Sequence, residues 1–283
     1  MMTSTHATSA RLHPAPTPFV LAHATDLHTG GGVAFRHSVA LAERLGATLY
    51  SLHAAQDPAA VNAMPDAHEL LKAWRRTDPE VRALTHHRVV KPVDDDPLDS
   101  LLAALNDISP DMLVVATHQR NGLERLLYGS GAEALALNAD VPTLFLPISE
   151  PGFVASATGD LVLNRVLLPV DNAETADEVL TVATDLLSQL GLEHLDLLLL
   201  HIGPERVLDH IKLPATAPAG WCLIKQYSNG PLTSQIAELA DAHDVGLCVM
   251  GTRGHDGVED ILWGSHTEQT IRSAHCPVLS VPL

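Results

Sequence analysis

Gly251-Thr252-Arg253-Gly254, then nine intervening residues, then Gly264-Ser265, puts small residues where an apolar strand gives way to a helix. Glycine carries no Cβ, so peptide N–H groups can approach an anion closely. A helix N-terminus adds unpaired N–H donors and the positive end of a dipole. This composition at this spacing suits a phosphate. The same glycines also suit a tight strand-to-helix turn without any ligand. Two aspartates, Asp26 and Asp171, each close a strand-like run, where Asp serves equally as a loop or cap residue.

The pattern occurs twice. Residues 113–147 align without gaps onto 248–282, pairing Thr117 with Thr252, Gly122 with Gly257, Gly129 with Gly264, Ser130 with Ser265 and Pro142 with Pro277. Residues 19–26 repeat as 164–171, with Asp26 opposite Asp171. A repeat of about 130 residues indicates a duplicated domain, since solenoid units recur every 20–50 residues or so. The two copies differ at the phosphate-type positions, where Ala116 stands opposite Gly251 and Gln119 opposite Gly254. A side chain at the second of these obstructs close approach to an anion.

Of 17 histidines, His23, His28, His37, His53 and His118 fall in the first half, several near predicted strand ends. With Asp26 they raise the possibility of zinc, which takes three or four N, S or O ligands. Their spacing matches no standard metal motif, and solvated or core histidines are the simpler account. Cys222, Cys248 and Cys276 lie in apolar runs without a CxxC, as expected of small buried hydrophobes. Trp74, Trp221, Trp263 and Tyr128 read as packing residues.

The elements that must position these residues alternate. The first half predicts strands at 19–25, 47–54, 84–90, 111–117 and 141–147, with helices at 33–45, 66–76, 97–108 and 129–138 between them. The second predicts strands at 164–170, 194–202, 221–227, 245–250 and 277–282, with helices at 174–190, 231–243 and 264–274. Residues 203–220 carry Pro and Gly and little regular pattern, and Thr233 or Ser234 is a candidate helix cap. Alternating strands and helices imply a parallel sheet with right-handed crossovers. The expected fold class is α/β: two tandem, doubly wound, Rossmann-like five-stranded parallel sheets. The expected division is a loose tail at 1–18, a first domain at 19–148, a linker at 149–163 and a second domain at 164–283.

The chain of 283 residues suits about two domains. A formal charge of −17 argues against a nucleic-acid surface, which needs a Lys/Arg stripe. There is no apolar run of about 18 residues for a membrane span and no signal-peptide core, so the expectation is a cytoplasmic protein.

The sequences VLLPVD, LLLLHI, VMGTRG, GSHTE and CPVLSVP, in that order, resemble the universal stress protein family in its tandem form, the second half being similar to the ATP-binding subgroup. The resemblance covers nearly the whole chain outside the tail, the linker and 203–220. It implies nucleotide at the C-terminal ends of the strands. Pro169, Val170 and Asp171 would flank the adenosine, with Asp171 near the ribose or a Mg²⁺. Ile202 would line the adenine slot, and Met250 and Gly251 would approach the nucleoside. Gly254, Gly264, Ser265, His266 and Thr267 would hold the phosphates, with Arg253 as a further contact.

It also implies that 141–147 and 277–282 pair across a pseudo-two-fold axis, and it leaves open a homodimer. The first half, with its THQR motif, resembles members that do not bind ATP. The implied function is a nucleotide-responsive stress-response or signalling protein, with no catalytic residues assigned. Weak ATP hydrolysis stays open, although no Walker lysine or positioned base is evident. The Ser-Gly-Gly-x-Asp-Ser and His-x-Gly-His motifs of ATP-pyrophosphatase and adenylyl-transferring enzymes are absent. The alternative is a nucleotide-independent scaffold, with or without zinc.

Overall fold

The computed structural model describes residues 18–27, 32–93, 96–117, 135–136, 139, 141–203, 207–252 and 265–283. The first half contains β1 (Val20–Ala24), α1 (Gly32–Leu45), β2 (Thr48–Ala54), a 3-10 turn (Pro58–Ala63), α2 (Ala67–Ala73), α3 (Asp78–Ala83), β3 (Thr85–Lys91), α4 (Pro97–Ile108), β4 (Met112–Thr117) and β5 (Thr143–Pro147). The second contains β6 (Arg165–Val170), α5 (Ala173–Ser188), β7 (Leu195–Ile202), β8 (Trp221–Ser228), α6 (Leu232–His243), β9 (Leu247–Thr252), α7 (Ser265–Ser273) and β10 (Val278–Pro282). No helix among the described residues is long and apolar enough to cross a membrane.

All strands join one sheet in the order β3-β2-β1-β4-β5-β10-β9-β6-β7-β8. Pairing is parallel throughout each half and antiparallel only at β5·β10, where Phe145 faces Val278 and Thr143 faces Ser280. The order therefore reads outward identically from that seam in both directions, as a pseudo-two-fold axis requires. Alternation along the strands feeds two apolar layers. Leu21, Leu146, Val166 and Leu168 pack on one face with α1 and α5, while Ala22, Phe145, Leu167 and Cys248 pack on the other with α4, α6 and α7.

Local chemistry sets the helix ends. Asp96 caps α4 by accepting from the Leu98 N–H at 2.8 Å, with Pro97 in the first turn. Asn172 caps α5 through the Thr175 N–H at 2.9 Å. Neither Thr233 nor Ser234 caps α6: Pro231 holds that position, without a side-chain capping bond among the described residues.

Sequence patterning missed the 3-10 turn and α3, both too short to show a helical period. For residues 149–163 the sequence predicts only a linker. This connector is ordered and folds back over the first half, with a β-bridge between Val154 and Leu161. The Trp74 indole donates to the Ser156 carbonyl at 3.1 Å, and the Phe153 N–H donates to His37 Nε2 at 3.0 Å. Arg76 forms a two-pronged pair with Glu43 at 2.7 and 3.2 Å and lies 3.7 Å from Asp160 of the connector. Phe153 and Leu163 also lie against Gly246 ahead of β9, so the connector touches both halves. In the second half, residues 207–220 carry no helix. Buried Leu208 and Ile211 cover the sheet there instead.

Candidate nucleotide site

The second half offers its crevice where β6 and β9 lie side by side and their following helices leave on opposite faces, the topological switch point of a doubly wound sheet. The register shows why it opens. β6 pairs with β9 only at Val166↔Leu247 and Leu167↔Cys248. Pro169, two residues on, has no N–H to continue a ladder. β6 stays paired with β7 through Val170↔His201, and β9 with β10 through Thr252↔Pro282. The two central strands thus part before their C-terminal ends. At the equivalent place in the first half, β1 and β4 stay paired through His23↔Val114 and Ala24↔Val115. That crevice begins two residues later.

Pro169, Val170 and Met250 are buried in the walls of the second-half crevice. Ile202 is half-buried at the end of β7. Asp171 follows β6 directly, is exposed, and has no side-chain partner among the described residues. It is not the cap of α5, a task that falls to Asn172. Asp26, its counterpart, is engaged by its surroundings. Ser265, His266 and Thr267 form the first turn of α7, with Thr267 buried. Arg253, Gly254 and Gly264 lie outside the described residues. The structure therefore brings together Pro169, Val170, Asp171, Ile202 and Met250 at adjoining strand ends, while the middle of the glycine loop is not among them.

Gly251 corrects the reasoning attached to it. It lies inside β9, opposite Val281, without a positive φ, so it does not make a turn. A Cβ there would lie 2.4 Å from Leu283 Cδ1 and 2.7 Å from Val179 Cγ2. Side chains of this protein already fill the space that the missing Cβ leaves.

The first-half histidines separate into different tasks. His23 Nδ1 lies 3.4 Å from Ser51 Oγ, which in turn lies 3.0 Å from His86 Nε2. The Ala67 N–H donates to His86 Nδ1, fixing the proton on Nε2. Burial pushes His23 down to about 3, helped by the nearby His86, and pushes His86 down to about 4. His86 is thus part of a half-buried chain rather than a surface residue. His37 donates from Nδ1 to the Val33 carbonyl at 2.7 Å, and His53 Nδ1 lies 2.8 Å from the Thr25 carbonyl. His28 and His118 lie outside the described residues. Among the described residues no three His, Cys, Asp or Glu side chains are placed to hold a metal.

Cys248 and Cys276 are buried, and desolvation raises both thiols, Cys276 to about 12. Cys222, expected to be buried, is exposed on β8. It lies on the outermost strand, where only one neighbour shields it.

The universal stress protein family model matches residues 22–147 and 224–282, more than half of the chain. Universal stress protein MJ0531 of Methanocaldococcus jannaschii is 48% identical over 52 residues, covering 18% of this chain and 31% of its own. Stress response protein NhaX of Bacillus subtilis is 35% identical over 54 residues, covering 19% and 32%. The matched stretch thus spans about a third of these relatives. A universal stress protein from Archaeoglobus fulgidus superposes with a TM-score of 0.61 at 16% identity, covering 93% of this chain and 98% of that one. PA1789 from Pseudomonas aeruginosa, titled functionally unknown, gives 0.64 at 14%, covering 93% and 92%. The structural likenesses speak for the fold, and the family match, with the doubled switch point and its antiparallel seam, leads to one statement: this chain belongs to the universal stress protein family.

Proposed function

We propose that the chain binds ATP in its second half and acts as a nucleotide-responsive stress-response or signalling protein in the cytoplasm. The observation that carries this reading is the early parting of β6 from β9 beside Asp171, whose carboxylate has no side-chain partner among the described residues. The residues present fit an adenine nucleotide. Val170, Ile202 and Met250 supply apolar walls for a base, and Asp171 offers a carboxylate to ribose hydroxyls or to a Mg²⁺. The first turn of α7 supplies backbone donors of the kind that hold phosphate. Arg253, Gly254, Gly264, Ser265, His266 and Thr267 are assigned to the phosphates on the sequence resemblance. The chain's own task is to hold the triphosphate and report its presence. Hydrolysis is not assigned to any residue.

The test is calorimetric titration of the full chain with ATP, with and without Mg²⁺. Asp171→Ala and Gly254→Gln, the latter copying the first half, should each weaken binding about tenfold or more, equivalent to about 1.4 kcal/mol, with the fold unchanged by circular dichroism. Unchanged affinity in both variants would remove this crevice as the site.

A further inference from the structure

One hydrogen bond occurs twice, at pseudo-equivalent positions. His53, near the end of β2, places Nδ1 2.8 Å from the carbonyl of Thr25, and His201, near the end of β7, places Nδ1 3.2 Å from the carbonyl of Val170. In each case the carbonyl belongs to the residue just before the strand-ending aspartate, Asp26 or Asp171. A carbonyl only accepts, so each ring must carry its proton on Nδ1.

For His201 this choice has a cost. In the neutral ring Nε2 is then an acceptor, and among the described residues it is sealed from solvent without a partner, which a buried polar atom tolerates only when something else is gained. The side chain is 4% exposed. Gly203 (φ +140) stands over it, and a Cβ there would lie 3.1 Å from Nε2.

What is gained follows from the register. After Leu167, β6 has lost β9 as a partner, and its ladder with β7 ends at Val170↔His201. The Nδ1–H bond then adds a side-chain anchor at the last laddered residue before Asp171 leaves the sheet.

We propose that His201 is the positioning residue of the candidate nucleotide site: by holding the Val170 carbonyl it fixes where the Asp171 carboxylate enters the crevice. The nucleotide arm of this inference rests on the ATP-binding reading above; the geometric arm does not. Asparagine places an N–H donor near the position of Nδ1, and glutamine places one nearer Nε2, so the pair separates the role from simple polarity.

The experiment measures two quantities on the full chain for His201→Leu, His201→Asn, His201→Gln and His53→Leu: ATP affinity by calorimetry, and amide hydrogen exchange at Asp171 and Asn172 without ligand. His201→Leu and His201→Gln should weaken ATP binding about tenfold and speed exchange at both amides. His201→Asn should restore both to within about threefold, and His53→Leu should leave both unchanged, a tenfold step being about 1.4 kcal/mol. The Asn/Gln contrast decides the matter even if His201→Leu does not fold. Unchanged exchange at Asp171 in His201→Gln overturns the inference, as does equal loss of affinity in His53→Leu and His201→Leu. Should the wild-type chain take up no ATP, the functional reading fails, and the exchange data still judge the positioning role.

Discussion

A methyl group added at Gly251 would press on Leu283 and Val179, both apolar and both held by their own packing. Overpacking of this kind costs about 1–3 kcal/mol, so Gly251→Ala should lower the urea midpoint by a corresponding amount. Ala116, its counterpart in β4, is half-buried against the same layer, and Ala116→Gly should cost about 0.5–1 kcal/mol through strand entropy. A Gly251→Ala chain with an unchanged midpoint would show that Leu283 moves aside freely. The glycine was legible in the sequence, but its reason was not, because the neighbour that demands it lies 32 positions away. Asp171 was legible as a strand-ending carboxylate. That it does not cap α5 shows only in the structure, where Asn172 takes that place. The clamp of His201 on Val170 needs the register of two strands, which no local pattern supplies.

At the scale of elements, strands and long helices were readable because their periods are long enough to count, and most observed bounds fall within about two residues of the expected ones. The connector was not readable. Its Pro, Gly and Ser suggest only a linker, while its order comes from distant partners: Trp74, Arg76 and His37. His37 joins this connector to α1. Burial brings its imidazole down to about 3, with Arg36 adding to the effect against the Val33 bond, and His23 is brought down to about 3 as well.

Unfolded, each imidazole titrates near 6.5. The unfolded chain therefore takes up these protons first. The stability that the neutral rings contribute is complete above 6.5 and is lost as the pH falls from there toward 3. Each ring should contribute a slope approaching about 1.4 kcal/mol per pH unit in that window. Urea midpoints at pH 7, 6 and 5 should fall accordingly, and His37→Gln should flatten the slope by about one proton. A flat profile across this range would contradict neutral burial of both rings.

Across the whole molecule, the seam at β5·β10 joins all the strands into one continuous hydrogen-bonded sheet, and the connector lies against both halves. Such contact predicts a single cooperative unfolding transition rather than two. Ligand bound to the second half alone should then raise the melting temperature of all of it, by linkage of binding to the native state. Differential scanning calorimetry with and without ATP tests this. Two resolved peaks, only one of which moves, would mean that the halves unfold independently. The doubling was legible from the aligned repeats, and the seam only through the family resemblance. The difference in where the two crevices open was not, since it depends on how far each pair of central strands remains laddered.

The antiparallel seam has a consequence for asymmetry. Two identical subunits meeting edge to edge must present the same crevice twice, and any change in one appears in the other. Joining the two within a single polypeptide removes that constraint. The lobe carrying Asp26 can keep its share of the seam while its pocket diverges, and dilution cannot separate it from the lobe carrying Asp171.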